Sequence, residues 1–212
     1  VKLGKLVEQK PQMIEPYFSF MYYSAIGEFE KANSLWADVQ KRKHTLWGRL
    51  FNNLELIFSV NKLMLGKPAQ SDNLNEYYKK DFELIKNNLA AAREVINFES
   101  SVFLMKNISS IEKSIKEHKA YSIPQFESLF LFHSGLFYYN QKNFKEAEKY
   151  FIKTKNIENG GMVHQSYKYL TYIYEKASFP KQAVEKLVDE IDELEFGDLS
   201  FRIKDLEKKY KL

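Results

Sequence analysis

Apolar residues recur at intervals of three and four along most of the chain, and glycine and proline collect in the short gaps between these runs. That spacing places them on one face of a helix. Leu50, Leu54, Ile57 and Phe58 form one stripe; Phe82, Ile85, Leu89 and Val95 form another, with Ala90, Ala91 and Ala92 adding helix propensity. No run alternates apolar and polar residues between turn signals, so no strand is predicted. The pattern predicts helices near 12–26, 30–43, 46–65, 74–97, 101–118, 124–141, 144–156, 163–177, 180–194 and 198–210. The stretch 97–107 reads either as a break or as continuing helix.

Punctuation agrees with this layout. Pro11 and Pro16 precede the first helix pair, and Gly27 marks its turn. Gly66 and Pro68 open a polar loop, GKPAQSDN, and Gly160 with Gly161 separates two later pairs. Pro124 and Pro180 suit first helical turns, where a missing N–H has no intrahelical partner to lose. Ser109 followed by Glu112 resembles a capping box.

One pattern returns. It reads Gly135, Tyr138, Phe144, Ala147, Phe151, then Tyr174, Phe179, Ala183, Leu187, with a looser copy at Tyr23, Phe29, Ala32, Trp36. Two crossing helices need small residues where their backbones approach. Gly135, Thr171, Ala147 and Ala183 fill that role, and the aromatic and aliphatic residues fill the remaining volume. On these residues 128–194 resemble two tetratricopeptide-type repeats. The third copy departs, with Phe20 where a small residue is expected, and 45–120 reads as irregular helices. The expected fold is all-α: one domain over 1–212, a tetratricopeptide-like right-handed α-solenoid of about four to five helix pairs. The last segment, 198–212, has apolar residues on one side and lysines on the other, which suits a terminal capping helix.

Irregular repeats in a lysine- and asparagine-rich chain, together with the segment HTLWGRLFNNLELIFSV, are similar to one group of proteins. These are the C-terminal peptide-sensing domains of Gram-positive and phage pheromone receptors, of the Rgg, PlcR, Rap and arbitrium types. The resemblance implies a cytoplasmic, non-catalytic domain that holds a short peptide in a concave groove and regulates a signalling or transcription output. It implies quorum sensing as the setting and asparagines on the groove helices. Asn52, Asn53, Asn87 and Asn88 are the matching candidates, since a side-chain amide offers both a donor and an acceptor to a peptide backbone. Arg49, one turn before Asn53, suits a peptide carboxylate. Tyr23 and Tyr138, from the pairs Tyr22–Tyr23 and Tyr138–Tyr139, suit the groove wall, with at least one tyrosine of each pair expected in the core. Trp36 and Trp47 read as packing anchors. The alternative reading is a general protein–protein scaffold without a small-peptide ligand.

Composition narrows the chemistry. An apolar fraction of 44% and an aromatic fraction of 16% fill a core and argue against disorder. There is no cysteine, which removes disulfides, thiolate metal sites and cysteine nucleophiles. A net charge of +4, dispersed along the chain, gives no concentrated basic face for nucleic acid. No apolar run reaches membrane-spanning length. The expected partners are a short peptide, a protein, or a second copy in a homodimer, with no membrane and no direct nucleic-acid contact. Because the first residue is Val1, an N-terminal effector domain outside this sequence is compatible with the reading.

No cofactor or metal is expected. His44, His118, His133 and His164 stand apart from one another, with His133 suited to a satisfied core position. Asp189, Glu190, Asp192, Glu193 and Glu195 read as the solvated face of a helix, with Ile191 and Leu194 turned inward. Gly66–Lys67 lacks the rest of a phosphate loop, and no nucleophile elbow is present. No catalytic constellation emerges, so the chain reads as a binding protein and not an enzyme.

Overall fold

The structure is a computed structural model and describes residues 7, 9, 14–45, 48–69, 71–72, 74–118 and 123–212, apart from the side chains at 45, 48–50 and 77. Among the described residues every regular element is helical, with twelve α-helices and two 3-10 turns. The chain divides into two compact units, Val1–Lys106 and Asn107–Leu212. The division falls inside the stretch that lacks the repeat pattern.

The first unit holds α1 (Pro16–Ala25), α2 (Phe29–Ser34), α3 (Trp36–Lys41), α4 (Gly48–Met64), α5 (Glu76–Asn87) and α6 (Leu89–Leu104). Helix α1 packs on α2, α3, α4 and α6, and α4 also packs on α2, α5 and α6. The core is Phe20, Ala32, Trp36, Val39, Phe51 and Leu54. Trp36 anchors it, stacked on Phe58 at 4.4 Å and 8° and on Phe51 at 6.0 Å. Trp47 lies outside the described residues. Phe20 stands where the repeat pattern calls for a small residue, and it is fully enclosed against Trp36 at 5.5 Å. A bulky side chain there keeps two helices from close backbone approach, so this pair departs from the other two. A buried polar tie joins α1 to α4: Asn61 Nδ2 donates to Ser24 Oγ at 2.7 Å, and Ser24 Oγ donates to the Phe20 carbonyl at 2.9 Å.

The second unit holds α7 (Ile108–Glu117), α8 (Pro124–Asn140), α9 (Phe144–Lys155), α10 (Val163–Lys176), α11 (Lys181–Glu193) and α12 (Ser200–Tyr210). Helix α8 is apolar nearly all round and is the buried centre of the unit. It packs on α9; α9 packs on α10; α10 packs on α11 and α12; and α8 also meets α10. From α8 onward each helix thus touches the next and, at the first positions of successive pairs, the next but one. Gly135 makes the α8–α9 contact possible. A Cβ added there would lie 2.6 Å from the Phe151 ring, which is itself fully buried. Ala147 is likewise enclosed, as is Thr171. In the following pair Ala183 is only half-buried, and Val184 takes the enclosed position beside it.

Several boundaries differ from the periodic reading, each for a local reason. The helix expected over 30–43 is two short helices with a turn at Leu35. The helix expected over 74–97 breaks at Asn88, whose Nδ2 folds back to the Leu84 carbonyl at 2.9 Å, and α6 then continues to Leu104. The break near 97–107 lies at its far end, where Met105 and Asn107 adopt left-handed φ of 51° and 47°. Asn107, not Ser109, caps α7, its side chain accepting from the Ser110 N–H at 3.3 Å. Pro180 is the N-cap of α11 and not its first residue.

Helix ends follow one device. At Gly27 (φ 80°) the Glu28 N–H reaches back to the Tyr23 carbonyl at 2.9 Å. The same wide turn ends α8 at Lys142 (φ 60°), with the Asn143 N–H on the Tyr138 carbonyl at 2.9 Å. A side chain in this region costs about 1 kcal/mol that glycine avoids. We therefore expect Lys142→Gly to raise the urea midpoint of unfolding, corresponding to a stability gain of up to about 1 kcal/mol. Gly135→Ala runs the other way. Its Cβ meets a fully buried ring that would have to shift, so a loss of about 1–3 kcal/mol is expected, and Phe151→Leu in the same chain should recover part of it.

Candidate functional site

Two surfaces draw attention, one in each unit. In the first unit an open cleft of about 550 Å³ lies between the start of α1 and helices α2 and α3. Tyr23, Ser19, Lys31, Asp38, Glu15 and Arg42 are among its walls. Its charges are already paired: Arg42 Nε sits 3.6 Å from Glu15, and Lys41 Nζ donates to Asp38 at 2.7 Å. Lys31 lies 3.9 Å from Glu28 and 5.1 Å above the Tyr23 ring.

In the second unit a row of rings crosses α8, α10 and α12. Tyr139 on α8 meets Phe144 at 5.8 Å and Tyr169 on α10 at 5.2 Å, the latter edge to face. Tyr169 meets Tyr172 at 5.4 Å, again edge to face. The Arg202 guanidinium of α12 lies 4.0 Å over Tyr172 and 4.9 Å over Phe201, which is 57% exposed. Lys176 donates to the Tyr139 hydroxyl and sits 4.7 Å over its ring. Burial pushes the Tyr169 phenol above its ordinary range, with Tyr139 and Tyr172 adding to the shift, so its hydroxyl stays protonated at neutral pH. The three tyrosines are half-buried. Their inner sides rest on the core and their outer sides are open. Tyrosine rings of this kind present an apolar body with a polar tip.

This face is held by buried polar links beneath it. Lys155 Nζ on α9 donates to Glu190 on α11 at 2.6 Å, and the Tyr167 hydroxyl on α10 donates to the same carboxylate at 3.3 Å. The Tyr174 hydroxyl donates to Glu148 at 2.7 Å. Arg202 Nη1 donates to both oxygens of Glu175, at 2.7 and 2.9 Å. Lys209 Nζ caps the end of α10, donating to the carbonyls of Tyr174, Glu175 and Ala177 at 2.7–3.0 Å. The Tyr210 hydroxyl donates to the Ala177 carbonyl at 2.8 Å and accepts from the Phe179 N–H at 3.3 Å. So α12 is tied to α10 at both ends.

The expected site residues distribute as follows. Tyr23 lines the cleft. Asn52 and Asn53 are half-buried on α4, next to the core residues Phe51 and Leu54. Asn87 is exposed at the end of α5, and Asn88 forms the α5–α6 break, its amide donating to a backbone carbonyl. The Arg49 side chain lies outside the described residues. Tyr138 turns towards α9 and stacks on Tyr150 at 5.6 Å and 14°, while Tyr139 joins the row. In the other pair Tyr22 is buried and Tyr23 is half-buried.

Residue reading missed Tyr169, Tyr172, Lys176 and Arg202. The first three stand three and four apart along α10, beside its core stripe of Leu170, Ile173 and Tyr174. A second aromatic stripe on one helix was the available signal. It also missed that Glu190 turns inward to Lys155, while Leu194, expected inside, is 48% exposed. His133 is buried, its Nδ1–H donating to the Leu129 carbonyl at 2.8 Å. Among the described residues no group of three or more His, Asp or Glu side chains is placed to hold a metal, and no helix is long and apolar enough to cross a membrane.

Set against known proteins, the chain matches no family model, no curated protein and no solved structure.

The Tyr167–Glu190 link has a pH signature. Burial first, then the Glu190 charge and hydrogen bond, pushes the Tyr167 phenol up to about 12, against about 10 in an unfolded chain. Its contribution is complete below about pH 10 and is lost as pH rises from about 10 to 12, because the unfolded chain releases that proton first. Unfolding followed by circular dichroism between about pH 9 and 12 should show this decline, and Tyr167→Phe should make it shallower.

Proposed function

We propose that this chain is a non-catalytic binding domain whose second unit holds a short peptide on the face shared by α8, α10 and α12. The tyrosine row of Tyr139, Tyr169 and Tyr172 carries this reading. These rings offer a large, stiff contact area at low entropic cost, with hydroxyl tips for a peptide backbone. The contact order of α8 to α12, in which first-position helices meet one another across each pair, supports a tetratricopeptide-like, right-handed solenoid over this segment, with α12 as its cap. The resemblance to pheromone-sensing domains supplies the biological role: a peptide met in the cytoplasm, tightening the helix stack and biasing a signalling or transcription output.

A peptide-display library panned against the purified chain tests this. We expect binders whose affinity falls about tenfold or more in Tyr172→Ala, the usual effect of removing an interface aromatic. The thermal midpoint and far-ultraviolet dichroism should hardly change. Failure to select any peptide would overturn the proposal.

A further inference from the structure

Two of the three helices that carry the tyrosine row, α10 and α12, are net basic. Helix α10 carries Lys168 and Lys176 against Glu175, a formal +1; α12 carries Arg202, Lys204, Lys208 and Lys209 against Asp205 and Glu207, a formal +2. Between them in sequence, α11 carries Lys181 and Lys186 against Glu185, Asp189, Glu190, Asp192 and Glu193, a formal −3. The third helix of the row, α8, carries Glu127 alone, so the positive charge comes from α10 and α12.

Partners narrow the choice further. Arg202 is matched by Glu175, and Lys209 is directed at the C-terminal carbonyls of α10. Among the described residues neither Lys168 nor Lys176 stands in an ion pair; Lys176 instead donates to a tyrosine hydroxyl. Lys168 feels Asp198, but that carboxylate already accepts from His164 at 2.9 Å. Lys168, Tyr172 and Lys176 follow one another at four-residue intervals, so the two cations flank the middle ring along a single helical stripe.

Resting on the peptide-binding reading above, we propose that this face takes an acidic peptide: an extended segment that sets one aliphatic or aromatic side chain against Tyr169 and Tyr172 and carboxylates against Lys168 and Lys176. The rings supply the desolvated anchor, and the lysines at its edge supply sign selection and encounter rate. A basic segment of the same apolar content meets like charge and is rejected.

The test probes the full chain with an array of immobilised decapeptides. We expect bound peptides enriched in Asp and Glu around one apolar residue, with binding weakened as salt is raised. The Lys168→Glu/Lys176→Glu double variant should bind a selected acidic peptide at least about tenfold more weakly, and its Lys-substituted counterpart more strongly. A Lys168→Gln/Lys176→Gln variant should fall between, and matched thermal midpoints exclude misfolding. Bound peptides without acidic bias, or an unchanged profile in the charge-reversed variant, overturn this inference and leave the peptide-binding reading standing. No bound peptide overturns both. A dimer in sedimentation that Lys176→Glu converts to monomer would assign the face to a second copy of the chain instead.

Discussion

The second unit depends on the close approach of α8 and α9 at Gly135. The Phe151 ring occupies the volume a side chain at 135 would need. That one contact sets the spacing of the pair, and the spacing fixes where α10 can pack and where α12 follows. Packed interiors do not deform continuously, so an added methyl group here strains the α8–α9 contact. Among the described residues the first unit has no such notch. Phe20 and Trp36 fill the equivalent place, and an aromatic stack around Trp36 does the positioning.

Polar side chains beneath the surface decide the rest of the register. Lys155, Glu190 and Tyr167 join three helices, with the lysine ammonium nearly sealed from water. Such a group destabilises the fold if it loses its partner, so it favours one arrangement of helices over near alternatives. Tyr174 with Glu148, and Arg202 with Glu175, do the same one layer along. These links leave the tyrosine row with its inner edges braced and its outer edges open. A rigid aromatic face is a low-entropy binding surface, because little is ordered when a partner arrives.

Much of the layout was legible in residue order. Gly135 and Ala147 could be named as close-approach residues from their small size at matching repeat positions, Trp36 as an anchor from its bulk, and His133 as a core histidine from its apolar surroundings. The capping lysines of 198–212 were visible as an amphipathic stripe. Other features were not. Asn88 ends a helix by folding onto its own carbonyl, and Lys142 and Met105 hold left-handed turns usually given to glycine. Nothing in those residue types announces it, since tertiary packing outweighs a local preference of about 1 kcal/mol.

The candidate site shows the same split. Sequence singled out asparagine pairs and two tyrosines by type alone. The structure sets Tyr138 against Tyr150 and brings Tyr139, Tyr169, Tyr172 and Arg202 into one row from three helices. Periodicity is a local property, so order along the chain determined that the protein is helical and which stripe of each helix is apolar. Which helices become neighbours is a long-range property. Only the tertiary structure could decide that Glu190 meets Lys155 and that a second stripe on α10 lies open beside two cations.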